Sequence, residues 1–422
     1  MTPTIIPRNR HPISRKMIDE EALKVLYRLH RNGFLAYLVG GSVRDLLLGK
    51  LPKDFDVATN AHPHEISALF RNSRIIGRRF RLVHVFFRGG KIIELSTFRS
   101  RSEFEETETE QGERIRKESF GTPAEDALRR DITINGLFYN IADFSIIDYV
   151  GGIADLHSRV IRTIGDPDER FQQDPVRMIR VIRHAARTGF RIEENTYEAI
   201  FRHREEIRQC PPSRLRDEFL RELKEGAARP SLHFMLHTGL LFSLFPDLAR
   251  ALGSRSLSME KTREFFLSLF DLVDQMIKTG RTVSESILLA LFLTPFLRAV
   301  PLEHPFLGKR ERSLYLAQTI RWTIHQIVTP FSFPRGAKEI ACQILMAQSN
   351  LKKSAQTGVI PKRLRVKKYF KEAVLLFGIE AQAKGEKVPR LLRNTVSSNP
   401  LPWWSNEIRM KHPKGERDRW MG

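Results

Sequence analysis

The chain is 422 residues long and carries 70 Lys and Arg against 49 Asp and Glu, a formal charge of +21; at a pI near 10.2 it attracts polyanions, so nucleic acid is the expected class of large partner. Only Cys210 and Cys342 are present, which excludes a disulfide framework or a Cys-based zinc site and fits a reducing cytosol. The opening MTPTIIPRNRHPISRK lacks the apolar core of a secretion signal. The longest apolar run, ILLALFLTPFL at 287–297, is too short to span a bilayer and holds Pro295, so it reads as a buried helix and no membrane partner is expected.

A chain of this length forms two or three domains. FLAYLV at 34–39 reads as a buried strand, Gly40 and Gly41 as a turn, and Val43, Leu46, Leu47 and Leu48 as a short helix stopped by Gly49. Glycine lets backbone N–H groups approach a phosphate closely, and the start of the following helix adds partial positive charge. Gly40, Gly41 and Ser42 are therefore candidate phosphate ligands, with Arg44 nearby as a charge donor. DFDV at 54–57 alternates polar and apolar residues, so as a strand it sets Asp54 and Asp56 on one face. Two adjacent carboxylates repel, and Mg²⁺, which takes a few carboxylates plus substrate phosphates, is the cation expected between them.

LVHVFF and KIIELSTF flank Arg88, Gly89 and Gly90, a hairpin signal, and the second strand offers Glu94 as a third carboxylate. Residues 101–120 are charged without apolar periodicity and are expected to form a mobile loop. In ALRRDITINGLFYN, Asn135 follows Asp131 by four residues and is expected to share its helix face, while Arg129, Arg130 and Asp131 also fit a salt-bridged helix start. Asp148, Gly151, Gly152 and Asp155 read as a structural turn. From about residue 168 the pattern turns helical. In QDPVRMIRVIRHAARTGF, Asp174 is the expected N-cap and Pro175 the first helical residue. Arg177, Arg180, Arg183, His184 and Arg187 then share one arc and Met178, Ile179, Val181, Ile182, Ala185 and Ala186 the other, so an anion, RNA or triphosphate, is expected against the cationic arc.

The Gly-Gly turn joined to an Asp-x-Asp pair resembles the signature of the nucleotidyltransferase superfamily related to DNA polymerase beta, in the form used by bacterial poly(A) polymerases and class II CCA-adding enzymes. The resemblance implies an α+β fold: a polymerase-beta-like head with a mixed sheet at 1–155, then all-α domains, a nucleotide- and RNA-binding neck at 156–240 and an RNA-binding body with a basic tail at 241–422. It implies a triphosphate on Gly40 and Gly41, and two Mg²⁺ ions on Asp54, Asp56 and Glu94. Arg130 and Asp131 would lie near the sugar, the carboxylate accepting from a ribose 2′-OH, with Asn135 in support. Asp174 and Arg177 match the family's Glu-Asp-x-x-Arg template, which reads base edges; Gln173 stands where the family has Glu, and its carbonyl accepts one hydrogen bond. Arg180 joins the nucleotide site, and Arg183, Arg187, Lys367 and Lys368 are assigned to RNA.

Residues 75–85, IIGRRFRLVHV, resemble the variant found in bacterial poly(A) polymerases, where CCA-adding enzymes usually carry a His-Gly-Thr type sequence, and the likeness continues to the late Trp403–Trp404 pair. The implied activity is template-independent addition of AMP from ATP to an RNA 3′ end in the cytoplasm; no protein partner is implied. The rival within the family is a tRNA nucleotidyltransferase adding CCA or part of it. From another class comes a non-catalytic basic RNA-binding protein, against which the intact Asp54, Asp56 and Glu94 argue.

Residues 351–422 hold 17 Lys or Arg against 6 Asp or Glu, and so carry +11 of the +21. Deleting residues 405–422 is expected to weaken RNA binding and flatten the slope of log affinity against log salt, since each lost phosphate contact removes released counterions. A salt titration of RNA affinity checks this: an unchanged slope means that the tail makes no phosphate contact.

Overall fold

The computed structural model describes residues 2–77, 81–108, 114–252, 257–299, 308–329 and 331–393. Arg78, Arg79 and Phe80 of the GRRFRL segment, the Trp403–Trp404 pair and the rest of 394–422 lie outside the described residues. The chain divides into two compact units, Met1–Pro167 and Asp168–Gly422.

In the first unit eight strands, among the described residues, form one mixed sheet. They are β1 (Thr4–Ile6), β2 (Ala36–Val39), β3 (Asp56–Thr59), β4 (Ser73–Ile76), β5 (Leu82–Phe86), β6 (Ile92–Thr97), and two later strands, Leu137–Asn140 and Ile146–Asp148. From one edge the order is β1, Ile146–Asp148, Leu137–Asn140, β2, β3, β6, β5, β4. Among the described residues of this sheet β3 and β6 run parallel and the other neighbours pair antiparallel. The period of two sorts the side chains. Leu38, Val57, Val83, Val85, Ile93 and Leu95 enter a large core on one face, while Tyr37, Val39, Ala58 and Phe138 form a smaller cluster on the other.

Helix α1 (Glu20–Arg31) covers the large core with Ala22, Val25, Leu26 and Leu29, spaced to share one stripe. Each of its fully buried leucines stabilises the fold by about 1.5–3 kcal/mol. Asp19 starts the helix by accepting from the N–H groups of Glu21 and Ala22 at 3.0 and 3.3 Å. The expected strand, turn and helix at 34–49 are found as β2, Gly40 and α2 (Gly41–Leu47), and the hairpin as β5 and β6 around Arg88–Gly90.

Two expectations for this unit need correction. The strand starts at Asp56 rather than Asp54, because its partner ends: Val39 pairs with Asp56, and the chain then leaves the sheet at Gly40, with φ at 71°. The alternation nevertheless persists, with Asp54 and Asp56 exposed and Phe55 and Val57 buried. Residues 101–108 and 114–120 are not a loop, and 109–113 lie outside the described residues. The described part forms an antiparallel pair, β7 (Arg99–Glu108) with β8 (Arg114–Phe120), whose register sets Glu105 opposite Lys117, Glu106 opposite Arg116 and Glu108 opposite Arg114. Backbone ladder pairing needs no apolar period within either strand.

In the second unit the described residues are almost entirely helical. The apolar run at 287–297 lies in the helix Glu285–Ala299, with Leu288 to Leu293 buried, and no helix among the described residues is long and apolar enough to cross a membrane. Cys210 and Cys342 are buried and free. The helix Val176–Thr188, called the arginine helix below, buries its apolar arc as its periodicity predicts. Its cationic arc meets the helix Pro212–Lys224, whose Glu218 and Glu222, with the following Glu225, share one side at spacings of four and three.

Arg180 Nη2 donates to Glu218 at 2.9 Å, Arg183 donates to the same carboxylate, and Arg187 Nη1 donates to Glu225 at 3.0 Å. Internal carboxylates, rather than the expected RNA or triphosphate, thus face these three arginines. Glu222 is left over: Arg183 Nη1 stands 3.5 Å from its Oε1, but that guanidinium is committed to Glu218. Burial pushes Glu218 up, yet Arg183 and Arg180 outweigh it and hold its carboxyl below the ordinary range. For Glu222 burial prevails over Arg183, and the carboxyl is pushed up to about 8.

Folded Glu222 therefore keeps a proton that the unfolded chain has already released between the ordinary carboxylate range and about pH 8. Stability falls as pH rises through that window. Glu222→Gln, which mimics the protonated form, should match the wild type at about pH 5 and exceed it by about 2 to 4 kcal/mol at about pH 8. Urea denaturation at the two pH values checks this; a pH-independent difference would mean that Glu222 is ionised throughout.

Candidate active site

The site in the first unit begins with the turn after β2. Gly40 adopts φ 71° and ψ −136°, a conformation open to glycine, and a Cβ there would meet Arg130 Nη1 at 3.2 Å. A Cβ on Gly41 would meet Arg44 Nη2 at 3.4 Å. Two guanidiniums therefore lean on the bare backbone of this turn. Arg44 is buried, bonded through Nε to Asp45 Oδ1 at 2.9 Å and through Nη1 to Asn135 Oδ1 at 2.8 Å. Arg130 donates through Nη2 to Asp126 Oδ2 at 2.9 Å and through Nη1 to the Asn135 carbonyl at 3.4 Å, and lies 5.3 Å over the Phe138 ring. Asn135 thus joins both arginines, one through its side chain and one through its backbone. Ser42 turns inward: its buried hydroxyl donates to the Val39 carbonyl at 2.9 Å.

Asp131 and Asn135 do not share a helix face, contrary to expectation. The helix Pro123–Arg129 is started by Thr122 and Glu125 as a capping box and ends at Arg130, so Arg129 and Arg130 stand at a helix end rather than a start. The next residue, Asp131, leads into the bridge of Ile132 with Thr163, and Asn135 lies in the 3₁₀ turn Thr133–Asn135. That turn is pinned by Thr133 Oγ1 donating to Asp155 at 2.7 Å, and by Gly152, where a Cβ would come within 2.3 Å of the Thr133 carbonyl. Asp148 accepts from the N–H groups of Val150, Gly152 and Ile153 at 3.0, 3.0 and 2.9 Å, which accords with a structural part for this segment.

The carboxylates are set by strand register. Asp56 on β3 stands directly beside Glu94 on β6, and Glu94 beside His84 on β5, with His84 Nε2 3.2 Å from Glu94 Oε2. Asp56 keeps solvent access on one side while protein surrounds it on the other. That desolvation, followed by Glu94, pushes its carboxyl up to about 6; Arg130 pulls the other way and Asp54 adds to the rise. Three carboxylates in electrostatic reach, compensated by one arginine, form a donor set suited to a hard divalent cation. No three His, Cys, Asp or Glu side chains among the described residues already converge on one ion position. Sequence reading missed His84 and Asp126. The alternation of LVHVFF and the four-residue step from Asp126 to Arg130 were the available signals.

In the second unit the arginine helix starts at Val176, two residues after Asp174. Instead of capping, Asp174 Oδ2 accepts from Arg214 Nη2 at 2.7 Å, with Arg177 Nε 3.8 Å away, and Asp174 Oδ1 is buried without a hydrogen bond. Gln173 is exposed at the end of the preceding helix. Arg183 is buried and Arg180 and Arg187 are ion-paired as described, whereas Lys367 and Lys368 are exposed between the helices Lys362–Arg365 and Phe370–Ala383.

Residues 36–162 match the family described as "Poly A polymerase head domain", and residues 189–252 that described as "Probable RNA and SrmB- binding site of polymerase A". The poly(A) polymerase I of Haemophilus influenzae is 33% identical over 410 residues, covering 95% of this chain and 87% of the relative. The chain belongs to the poly(A) polymerase and CCA-adding enzyme family of nucleotidyltransferases. Poly(A) polymerase I of Salmonella typhi is 51% identical over 253 residues, which is 58% of this chain and 54% of that protein, so the chain matches about half the length of such relatives. A CCA-adding enzyme of Bacillus velezensis is 34% identical over 53% of this chain and 55% of its own length. The family fold is seen in the Bacillus stearothermophilus CCA-adding enzyme in complex with CTP, at a TM-score of 0.60 and 22% identity over 93% of this chain and 81% of that one.

Within the family head, the pair Asp126–Arg130 is 11% and 21% exposed and holds the guanidinium against Gly40. Asp126→Ala should cost about 1 to 3 kcal/mol of unfolding free energy by leaving Arg130 without its carboxylate. In a double-mutant cycle by urea denaturation, Asp126→Ala with Arg130→Ala should lose less than the sum of the two; additive losses would mean that the pair is not coupled.

Proposed function

We propose that this protein is a template-independent poly(A) polymerase: the RNA 3′ oxygen attacks the α-phosphate of ATP, the bond to the bridging oxygen breaks, and RNA leaves one AMP longer with pyrophosphate released. The observation that carries the reading is the likeness to a poly(A) polymerase I across 95% of this chain. The Asp56–Glu94 pairing beside the Gly40 turn supports it. Asp54, Asp56 and Glu94 would hold two Mg²⁺ ions, which when bound supply charge neutralisation at the triphosphate and ease ionisation of the attacking hydroxyl. Gly40 and Gly41 allow close backbone approach to phosphates, with Arg44 and Arg130 as fixed cations beside them. Asp131 is assigned to the ribose 2′-OH, with Asn135 tying the two arginines in place.

Base choice is assigned to Asp174 and Arg177. The unbonded Asp174 Oδ1 is an acceptor suited to the adenine amino group, and guanidinium donates to N1. Guanine presents a carbonyl and a donor in those places and leaves both groups mispaired. RNA contact belongs to the exposed Lys367 and Lys368 rather than the buried Arg183, and the cell compartment is the cytoplasm. The second reading, CCA addition, is favoured by the CCA-adding relatives and by the fact that cytosine also presents an amino group beside an acceptor.

ATP alone, CTP alone and both together, offered with oligo(A) and with a tRNA lacking its 3′ end, separate the two readings. Long ATP-only extension of oligo(A) is expected; CTP addition confined to tRNA ends would transfer the assignment to the rival. Asp56→Ala should lower turnover by roughly a hundredfold or more at unchanged RNA affinity. Arg177→Ala should lower kcat/KM for ATP by about ten- to a hundredfold and narrow the preference over GTP, since each lost buried hydrogen bond costs about 1 to 3 kcal/mol. Unchanged nucleotide ratios in that variant would reject Arg177 as the base reader.

A further inference from the structure

One transverse row of the sheet carries more polar chemistry than the reaction has been assigned. Reading across β4, β5, β6 and β3, the register aligns Arg74, His84, Glu94 and Asp56. Residues in register project from the same face of the sheet, so His84 flanks Glu94 on the side opposite Asp56. The strand fixes the imidazole there. Val83 and Val85 on either side are fully buried in the large core, so His84 cannot exchange faces without expelling both. Phe86, the next residue on the His84 face, meets the ring edge-on at 6.3 Å.

The contact itself has one chemical direction. A carboxylate only accepts, so the 3.2 Å approach of His84 Nε2 to Glu94 Oε2 requires the proton on Nε2. Glu94 is 43% exposed, and among the described residues His84 is the hydrogen-bonding neighbour of its carboxylate, at Oε2. A half-exposed glutamate samples many rotamers, and a ligand that must first be ordered binds a cation less tightly.

We propose that His84 is a positioning residue: its Nε2–H holds Glu94 Oε2, so that the Glu94 carboxylate is fixed beside Asp56 for a divalent cation. This rests on the reading of Glu94 as a metal ligand. His84 touches neither nucleotide nor RNA in this role and transfers no proton; it orders its neighbour.

The test uses the full chain and Mn²⁺ as the probe ion, with binding measured by calorimetry or electron paramagnetic resonance before any activity is read. His84→Ala should weaken Mn²⁺ binding by about tenfold or more, the usual scale for losing an outer partner of a ligand. It should lower kcat by a similar factor while KM for ATP at saturating metal changes less. His84→Gln, whose side-chain amide can donate from about the same place, should recover most of both and guards against a fold defect in the alanine variant. In the unmodified protein, imidazole ¹⁵N shifts should report the proton on Nε2. Wild-type Mn²⁺ affinity in His84→Ala, a glutamine variant no better than alanine, or a proton found on Nδ1 alone overturns the inference. Glu94→Gln separates the two levels. Loss of Mn²⁺ binding there with none in His84→Ala rejects only the part of His84, whereas unchanged binding in Glu94→Gln removes Glu94 as a ligand and the proposal with it.

Discussion

The parallel pairing of β3 with β6 is the constraint on which the head depends. It brings Asp56 beside Glu94, residues 38 positions apart in sequence, on a sheet whose opposite face is sealed by Val57 and Leu95. A one-residue slip would bury the carboxylates and expose the valine and leucine. The cost of that exchange is several apolar side chains at about 1.5–3 kcal/mol each, together with two buried charges, and it far exceeds the repulsion between two solvated carboxylates. The hydrophobic core therefore holds the like charges together. The raised Asp56 carboxyl, at about 6, records first its desolvation by the surrounding protein and then the repulsion from Glu94 that the register imposes.

The cations follow the same logic from the other side. Arg44 and Arg130 reach the glycine turn from different elements, and both are held through Asn135, Asp45 or Asp126. An arginine held by the Asp126 carboxylate and placed over the Phe138 ring has lost most of its rotamer freedom in advance of any ligand. That is preorganisation, and it explains why the Thr133–Asn135 turn is packed so tightly against Gly152 that no larger residue fits.

Much of this was legible in the chain, and the parts that were not share a cause. The glycine turn, the Asp-x-Asp alternation, the hairpin carrying Glu94 and the two arcs of the arginine helix depend on local spacing, and each appears where that spacing places it. Asp54 misses the strand because Gly40 ends the partner strand, an event on a different segment. Residues 101–108 and 114–120 form strands because their backbones pair with one another, an event that the composition of either segment conceals. Asp131 and Asn135 part company because Ile132 is drawn into a bridge with Thr163. The partner of Arg180 on the arc is Glu218, 38 residues further on, where RNA or triphosphate was expected: the wheel demands an anion but carries no information about a distant segment that supplies one.

The two acid–base clusters in this protein use the same residue types and differ in one physical respect. On the arginine helix Glu218 is held by Arg180 and Arg183 and Glu225 by Arg187, and the acid left over, Glu222, is wholly buried and keeps its proton, so no carboxylate of that row is left to meet a cation. In the head, Asp54, Asp56 and Glu94 face solvent with Arg130 as the opposing charge felt by Asp56, and the excess is negative and reachable. Neutralised and buried charge supports the fold; uncompensated and accessible charge is available to a cation and, through it, to a phosphate. By that criterion the carboxylates of the head are the proposed reacting centre and the acidic row of Glu218, Glu222 and Glu225 is a strut, although the sequence writes both in Asp, Glu and Arg.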